Sequence, residues 1–223
     1  MKRLLLFVSA AVVSALCSGL PSPALADKGP APAPGTPTAQ IRATNDRIDK
    51  LLKSKKSADD PAARSEMRAI VNGFLDYDEL ARRSLARHWD GLTKVQQGEF
   101  SKTLHDMIEK SYEKRLKTDL DYKVSYGSEA VKGDDATVAT MVKVKTKGKS
   151  TETAIDYKLK KSGERWVVYD VVTDEVSMVK TYREQFDKII QQETFDGLLK
   201  KMRKRIAETE HATDDKKAST ASK

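Results

Sequence analysis

The sequence predicts an α+β fold, a curved antiparallel sheet of about four strands with helices packed on its apolar face. Three observations carry that prediction. Apolar residues recur at helical spacing from Ile41 to Tyr112, alternate with polar ones from Tyr122 to Leu159, and return to helical spacing from Met178 to Ile206. Helices on both sides of a strand meander give an α+β order, because each amphipathic element must bury one face against another.

The helical half opens with the stripe Ile41, Ile48, Leu51 and Leu52. Asp60 followed by Pro61 is an N-cap with proline at the first helical position, and Met67, Ile70, Val71 and Phe74 continue the period. Asp76 restarts a helix, placed to cap the amide of Glu79, with Leu75 and Leu80 as a hydrophobic staple. Thr93 and Gln96 form a capping box ahead of the clearest helix, whose face is Phe100, Leu104, Met107, Ile108, Ser111, Tyr112 and Arg115.

From Asp121 the period becomes two. Tyr122, Val124 and Tyr126 alternate with polar residues, and Val138, Thr140, Val142 and Val144 oppose Lys143, Lys145 and Lys147. Thr153, Ile155, Tyr157 and Leu159 oppose Glu152, Asp156, Lys158 and Lys160. Trp166 to Tyr169 is apolar on both faces, which predicts the most buried strand. Turn chemistry separates the strands at Gly127–Asp135, Lys147–Ser150 and Ser162–Gly163. Met178, Val179, Tyr182, Phe186, Ile189 and Ile190 then make one amphipathic face, and Phe195, Leu198, Leu199, Met202 and Ile206 the last.

Outside this domain the composition changes. Lys2 and Arg3, the uncharged run Leu4–Leu16 and the triplet Ala24-Leu25-Ala26 predict a signal peptide over residues 1–26, cleaved after Ala26. The apolar run is short of the ~20 residues a membrane span needs. Cys17 raises the alternative of a lipoprotein, but Leu16 is bulky where a lipobox needs a small residue. Residues 27–39, rich in Pro, Ala and Gly, predict an extended linker, residues 40–208 the folded domain, and the polar residues 209–223 a disordered tail.

Lys and Arg number 41 against 33 Asp and Glu, and the net charge of +8 falls to about +6 once Lys2 and Arg3 leave with the leader. A basic excess fits an anionic surface, an acidic protein or a well-solvated exterior; export argues against a nucleic-acid partner. Cys17 is the only cysteine, so the mature chain has no thiol for disulfides, metal ligation or catalysis. Three histidines stand without partner spacing, and no catalytic or phosphate-loop motif occurs. Asp170 reads as a strand-end carboxylate paired with a neighbouring Lys or Arg, the alternative being an acid–base pair with Tyr157. The chain is therefore expected not to be an enzyme and to need no cofactor or metal. Arg82, Arg83 and Arg87 lie together on one helix, where they can meet a phosphate, an acidic partner surface or solvent.

The segment Phe74 to Trp89 (FLDYDELARRSLARHW) resembles the hallmark of the MlaC/toluene-tolerance family. Leu92-Thr93, Gln96-Gln97, Glu99-Phe100, Ser111-Tyr112, Trp166 to Val171, Val176 to Phe186 and Asp196 to Leu199 follow in the family's order. The similarity covers residues 40–207; Thr181 departs from it where Asn is commoner. The resemblance implies an NTF2-like, cystatin-like fold around a deep cleft for acyl chains, and a periplasmic monomer carrying phospholipid. It further implies an outer-membrane lipoprotein–porin complex and an inner-membrane ABC transporter with an MCE-type subunit as partners. A hopanoid or a lipoprotein's acyl chains would ask for the same cleft. The inward faces offer Leu104, Ile108, Val142, Val144, Ile155, Tyr157, Leu159, Met178, Tyr182 and Phe186 as candidate lipid-binding residues, each equally suited to ordinary core.

Overall fold

A computed structural model describes residues 33–54, 60–113, 121–146 and 149–220. The expected leader and the first part of the linker lie outside these residues. The helices are α1 (Pro37–Lys53), α2 (Pro61–Phe74), α3 (Tyr77–Leu85) and α4 (Lys94–Glu113), with a short 3-10 turn at Ala86–His88. The strands are β1 (Asp121–Lys132), β2 (Asp135–Thr146), β3 (Lys149–Ser162), β4 (Arg165–Thr173) and the short β5 (Val176–Ser177), followed by α5 (Met178–Thr220).

The helix starts follow their local chemistry. Asp60 Oδ1 accepts from the Ala62 amide at 2.9 Å, and Asp76 Oδ1 from the Glu79 amide at 2.9 Å. Thr93 and Gln96 bond reciprocally, the Thr93 amide to Gln96 Oε1 at 3.0 Å and the Gln96 amide to Thr93 Oγ1 at 3.3 Å. Each satisfies an amide that the first helical turn leaves without an acceptor.

Two boundaries differ from the sequence expectation. Helix α1 begins at Pro37, inside the expected linker, because Thr36 caps it through the Ala39 amide and proline suits the first turn. Helix α5 runs to Thr220, through the segment expected as a disordered tail. It is two helices joined at Thr194, where φ is 69° and ψ 173°. Just past this break a Cβ on Gly197 would stand 2.8 Å from Glu193 Cβ, so only glycine lets the backbone close up there.

The sheet is an antiparallel meander in the order β1-β2-β3-β4-β5, curved and not closed, with one short strand more than expected. β1 continues through Gly127 to a two-residue turn at Gly133-Asp134, shortening the first predicted turn. Continuation costs a bulge: three steps from Tyr126 to Glu129 face two from Thr140 to Val138. A second bulge inserts Tyr169 into β4, between the pairs Lys158–Asp170 and Leu159–Val168. At that irregularity the Val168 carbonyl accepts the Asp76 amide at 2.8 Å, fastening α3 to the sheet.

The core fills the space between the inner row of the sheet and α1 to α5. Ala136, Val138, Leu159, Trp166 and Val168 meet Ile70, Leu80, Leu85, Phe100, Leu104, Phe186 and Leu198 there. Phe186 lies edge-on to Phe100 at 5.5 Å and stacks on Tyr182 at 5.2 Å. β4 is buried from Trp166 to Asp170, as its double-sided apolar pattern predicts.

Candidate functional site

Antiparallel pairing sets one row of side chains across the sheet. Tyr122 opposes Val144 and Val124 opposes Val142; Val142 opposes Thr153, Thr140 opposes Ile155, Val138 opposes Tyr157, and Ala136 opposes Leu159. Because side chains alternate, these residues share a face, and it is the face the core uses at Ala136, Val138 and Leu159. Toward Val144 the row continues, but its burial changes. Val124, Val142, Val144 and Ile155 are half-buried and stand outside the packed core cluster.

The candidate residues therefore fall into two groups. Leu104, Ile108, Leu159 and Phe186 are buried in the core. Val142, Val144, Ile155, Tyr157, Met178 and Tyr182 are half-buried; the last three still pack against the core, with Tyr157 edge-on to Phe74 at 5.9 Å. Tyr122 and Val124 complete the half-buried region and were absent from the candidate set, although their alternation was visible in the sequence.

Helix α1 runs along β1 beside this region. The Thr38 amide donates to Glu129 Oε2 at 2.7 Å, Asn45 Nδ2 to Tyr126 Oη at 3.0 Å, and the Arg42 guanidinium lies 4.4 Å from the Tyr126 ring centre. Burial pushes the Tyr122 hydroxyl up to about 12, with the Asp49 carboxylate adding to the shift. Burial also raises Tyr126, against the opposing hydrogen bond from Asn45. A phenol so far above neutrality is a neutral amphipathic surface, suited to contact and not to proton transfer at physiological pH.

Asp170 differs from its expected pairing. It is 3% exposed and accepts from Ser177 Oγ at 2.7 Å and the Val179 amide at 3.0 Å, so a helix start, not a Lys or Arg, compensates it. Ser177 in turn accepts from the Lys180 amide at 3.0 Å. Tyr157 belongs to the row of Val171, whereas Asp170 belongs to the row of Lys158. Alternation therefore separates the two members of the alternative acid–base pair.

The three arginines expected on one helix also part company, Arg82 and Arg83 lying on α3 and Arg87 in the 3-10 turn after it. Arg82 and Arg83 both bind Glu79, while Arg87 and His88 both meet Asp187 on α5, at 2.5 and 2.6 Å. The bonds from Arg82 and Arg83, led by that of Arg82, bring the Glu79 carboxyl down to about 2. Among the described residues no group of His, Cys, Asp or Glu is arranged to hold a metal ion, and no helix is long and apolar enough to cross a membrane.

Comparison with known proteins follows the same lines. Among solved structures the chain is similar to a phospholipid-binding protein from Ralstonia solanacearum, determined in complex with a phospholipid. The two are 22% identical, with 77% of this chain and 97% of that one covered and a TM-score of 0.62, which establishes a shared fold. A second match, the SEC-C motif containing protein RPA3114 from Rhodopseudomonas palustris, is 16% identical over 57% of this chain and 88% of its own, and at a TM-score of 0.23 has no structural weight. No curated protein matches. The family model described as MlaC protein matches residues 42–204, well over half of the sequence, and the chain belongs to the MlaC family.

Proposed function

We propose that the protein is a periplasmic phospholipid carrier that shuttles lipid between the outer and inner membranes and so maintains outer-membrane asymmetry. The observation that carries this reading is the apolar row of the sheet, which continues from the packed core into the half-buried Val142, Val144 and Ile155 in a chain of this family. The phospholipid of the Ralstonia protein supports the choice of cargo.

Physical need supports it as well. Two acyl chains carry ~30 methylenes, and at ~0.8 kcal/mol each their exposure to water would cost ~24 kcal/mol. A carrier must offer an interior nearly as apolar as the bilayer, and no more so, or the cargo would never leave. No covalent step is required. On this reading the leader ends at Ala26, and a lipoprotein–porin complex and an MCE-type transporter subunit receive the carrier at either membrane.

Protein purified from periplasm without detergent is expected to release phospholipid on extraction with organic solvent, identified by mass spectrometry. A hopanoid or a lipoprotein acyl chain in the extract would redefine the cargo. Protein that carries no lipid and takes none from labelled vesicles would end the carrier reading.

A further inference from the structure

A polar concavity lies beside the Ala136–Leu159 end of the sheet. Arg82, Arg83, Ala86, Trp89, Asp90 and Arg183 line a site of about 310 Å³ where α3 and its following turn meet α5. That volume is at the small end of ligand pockets, and its lining is polar where such pockets are mostly apolar. It suits a projecting charged group better than a whole small molecule.

Its three guanidinium groups are held before any ligand arrives. Arg82 donates through Nε and Nη2 to the two oxygens of Glu79 at 2.8 and 2.9 Å. Arg83 donates to the same carboxylate at 2.7 Å and lies 4.1 Å from the ring centre of Tyr169, the bulged residue of β4. Arg183 is fixed by a bond from Nε to the Arg83 carbonyl at 3.2 Å. The single Glu79 carboxylate is shared between two arginines and approached by Lys160 at 3.8 Å. Arg183 is exposed and has no carboxylate partner among the described residues, so positive charge is left over. Guanidinium forks fixed on one edge keep other N–H donors for a planar oxyanion.

The wall of the site is also strained. Ala86 has φ 47° and ψ −114°, a conformation that favours glycine. Non-glycine residues in such regions are strained and collect at functional positions.

We propose that this cleft is a docking socket for a carboxylate side chain, Asp or Glu, presented by an acidic protein partner. The occupant follows from charge and shape. A planar carboxylate on a single projecting side chain matches the guanidinium forks and the small volume of the recess, which a flat anionic membrane does not fill. The Asp90 carboxylate lining the same site opposes either anion and is outnumbered by the three arginines. A second copy of this chain, itself at about +6 once the leader is removed, is repelled at long range. The socket rests on the carrier reading for its purpose. Lys160 pairs with Asp135 at one end of β2, and Val144 lies about 30 Å along that strand at ~3.3 Å per residue. A partner gripping the socket leaves the half-buried apolar row uncovered for lipid exchange.

The test uses dye-labelled hexaglutamate titrated into the mature full-length protein at low salt, followed by fluorescence anisotropy. Arg183→Glu is expected to weaken binding at least about tenfold, the loss of one charge-assisted contact. Lys145→Glu makes the same charge change at the opposite end and is expected to weaken it less than about twofold, by screening. Equal losses in both variants, or no binding by the parent protein, would overturn the socket. So would binding of inorganic phosphate at the cleft in place of the peptide, or Arg183-dependent sedimentation with phosphatidylglycerol vesicles. Arg82→Gln is the second variant should Arg183→Glu not fold, with the same loss expected. Lipid extracted from Arg183→Glu is expected to match the parent. If neither carries lipid but hexaglutamate binding still depends on Arg183, the carrier reading fails and the socket stands.

Discussion

The two ends of the sheet's inner row are written in nearly the same residues and end in different environments. Around Ala136, Val138 and Leu159 the row is buried against α1 to α5; around Val124, Val142 and Val144 it is half-buried and outside the packed cluster. β-branched residues at alternate positions specify a strand with one apolar face in both places. They do not specify what covers that face. Coverage is a property of helix lengths and of where each helix is fastened, and the fastening at Val168 and Asp170 lies toward one end only.

The largest effect expected from this contrast is at the sealed end. Leu104→Ala removes a fully buried side chain and should cost ~2–5 kcal/mol in urea unfolding of lipid-stripped protein. A loss well below that range would mean that the space around Leu104 is already open, and the two ends would be alike.

At the half-buried end the expected pattern inverts. Val142→Trp should abolish retention of lipid while the stripped protein melts nearly as the parent does. Overpacking a sealed core would instead cost ~1–3 kcal/mol and leave lipid in place. Stripped protein is essential to both measurements, because bound lipid stabilises the folded state alone.

The smallest effect is electrostatic and belongs to the sealed end. The Glu79 carboxyl, ordinarily 4.5, is held near 2, mainly by Arg82. Its folded value is depressed, so its contribution is complete above about 4.5 and is lost as pH falls toward about 2. Glu79→Gln should remove that part of the acid limb of the stability curve, on the order of 1 kcal/mol for so partly exposed a network. A full-sized acid limb surviving in Glu79→Gln would assign it to other carboxylates.

Much of this architecture was legible in the sequence because it rests on local chemistry. Asp60, Asp76 and Thr93 announce their helices, and alternation from Tyr122 to Leu159 announces the strands and their inner row. The start of α1 was hidden by a Pro-rich context that masks a good N-cap at Thr36. The partner of Asp170 was hidden because a buried carboxylate can be compensated by a hydroxyl seven residues on and an amide nine residues on, which no charge pattern records. Arg183 escaped notice for a similar reason: it joins Arg82 and Arg83 only through the packing of α5 on α3.

The extra residue at Tyr169 works as a change of phase in β4. Strict alternation would put Asp170 in step with Trp166 and Val168, driving a carboxylate into the row that faces Leu159 and Tyr157. One added residue hands that place to Val171, opposite Tyr157, and swings Asp170 into the row of Lys158, where it meets the start of α5. A single strand thus serves two layers: before the shift its apolar residues close the core, and after it the acid anchors the first half of α5. Length at this point is accordingly fixed more tightly than identity. Another aromatic in place of Tyr169 keeps the phase, whereas deleting the residue would exchange the two sides of everything downstream.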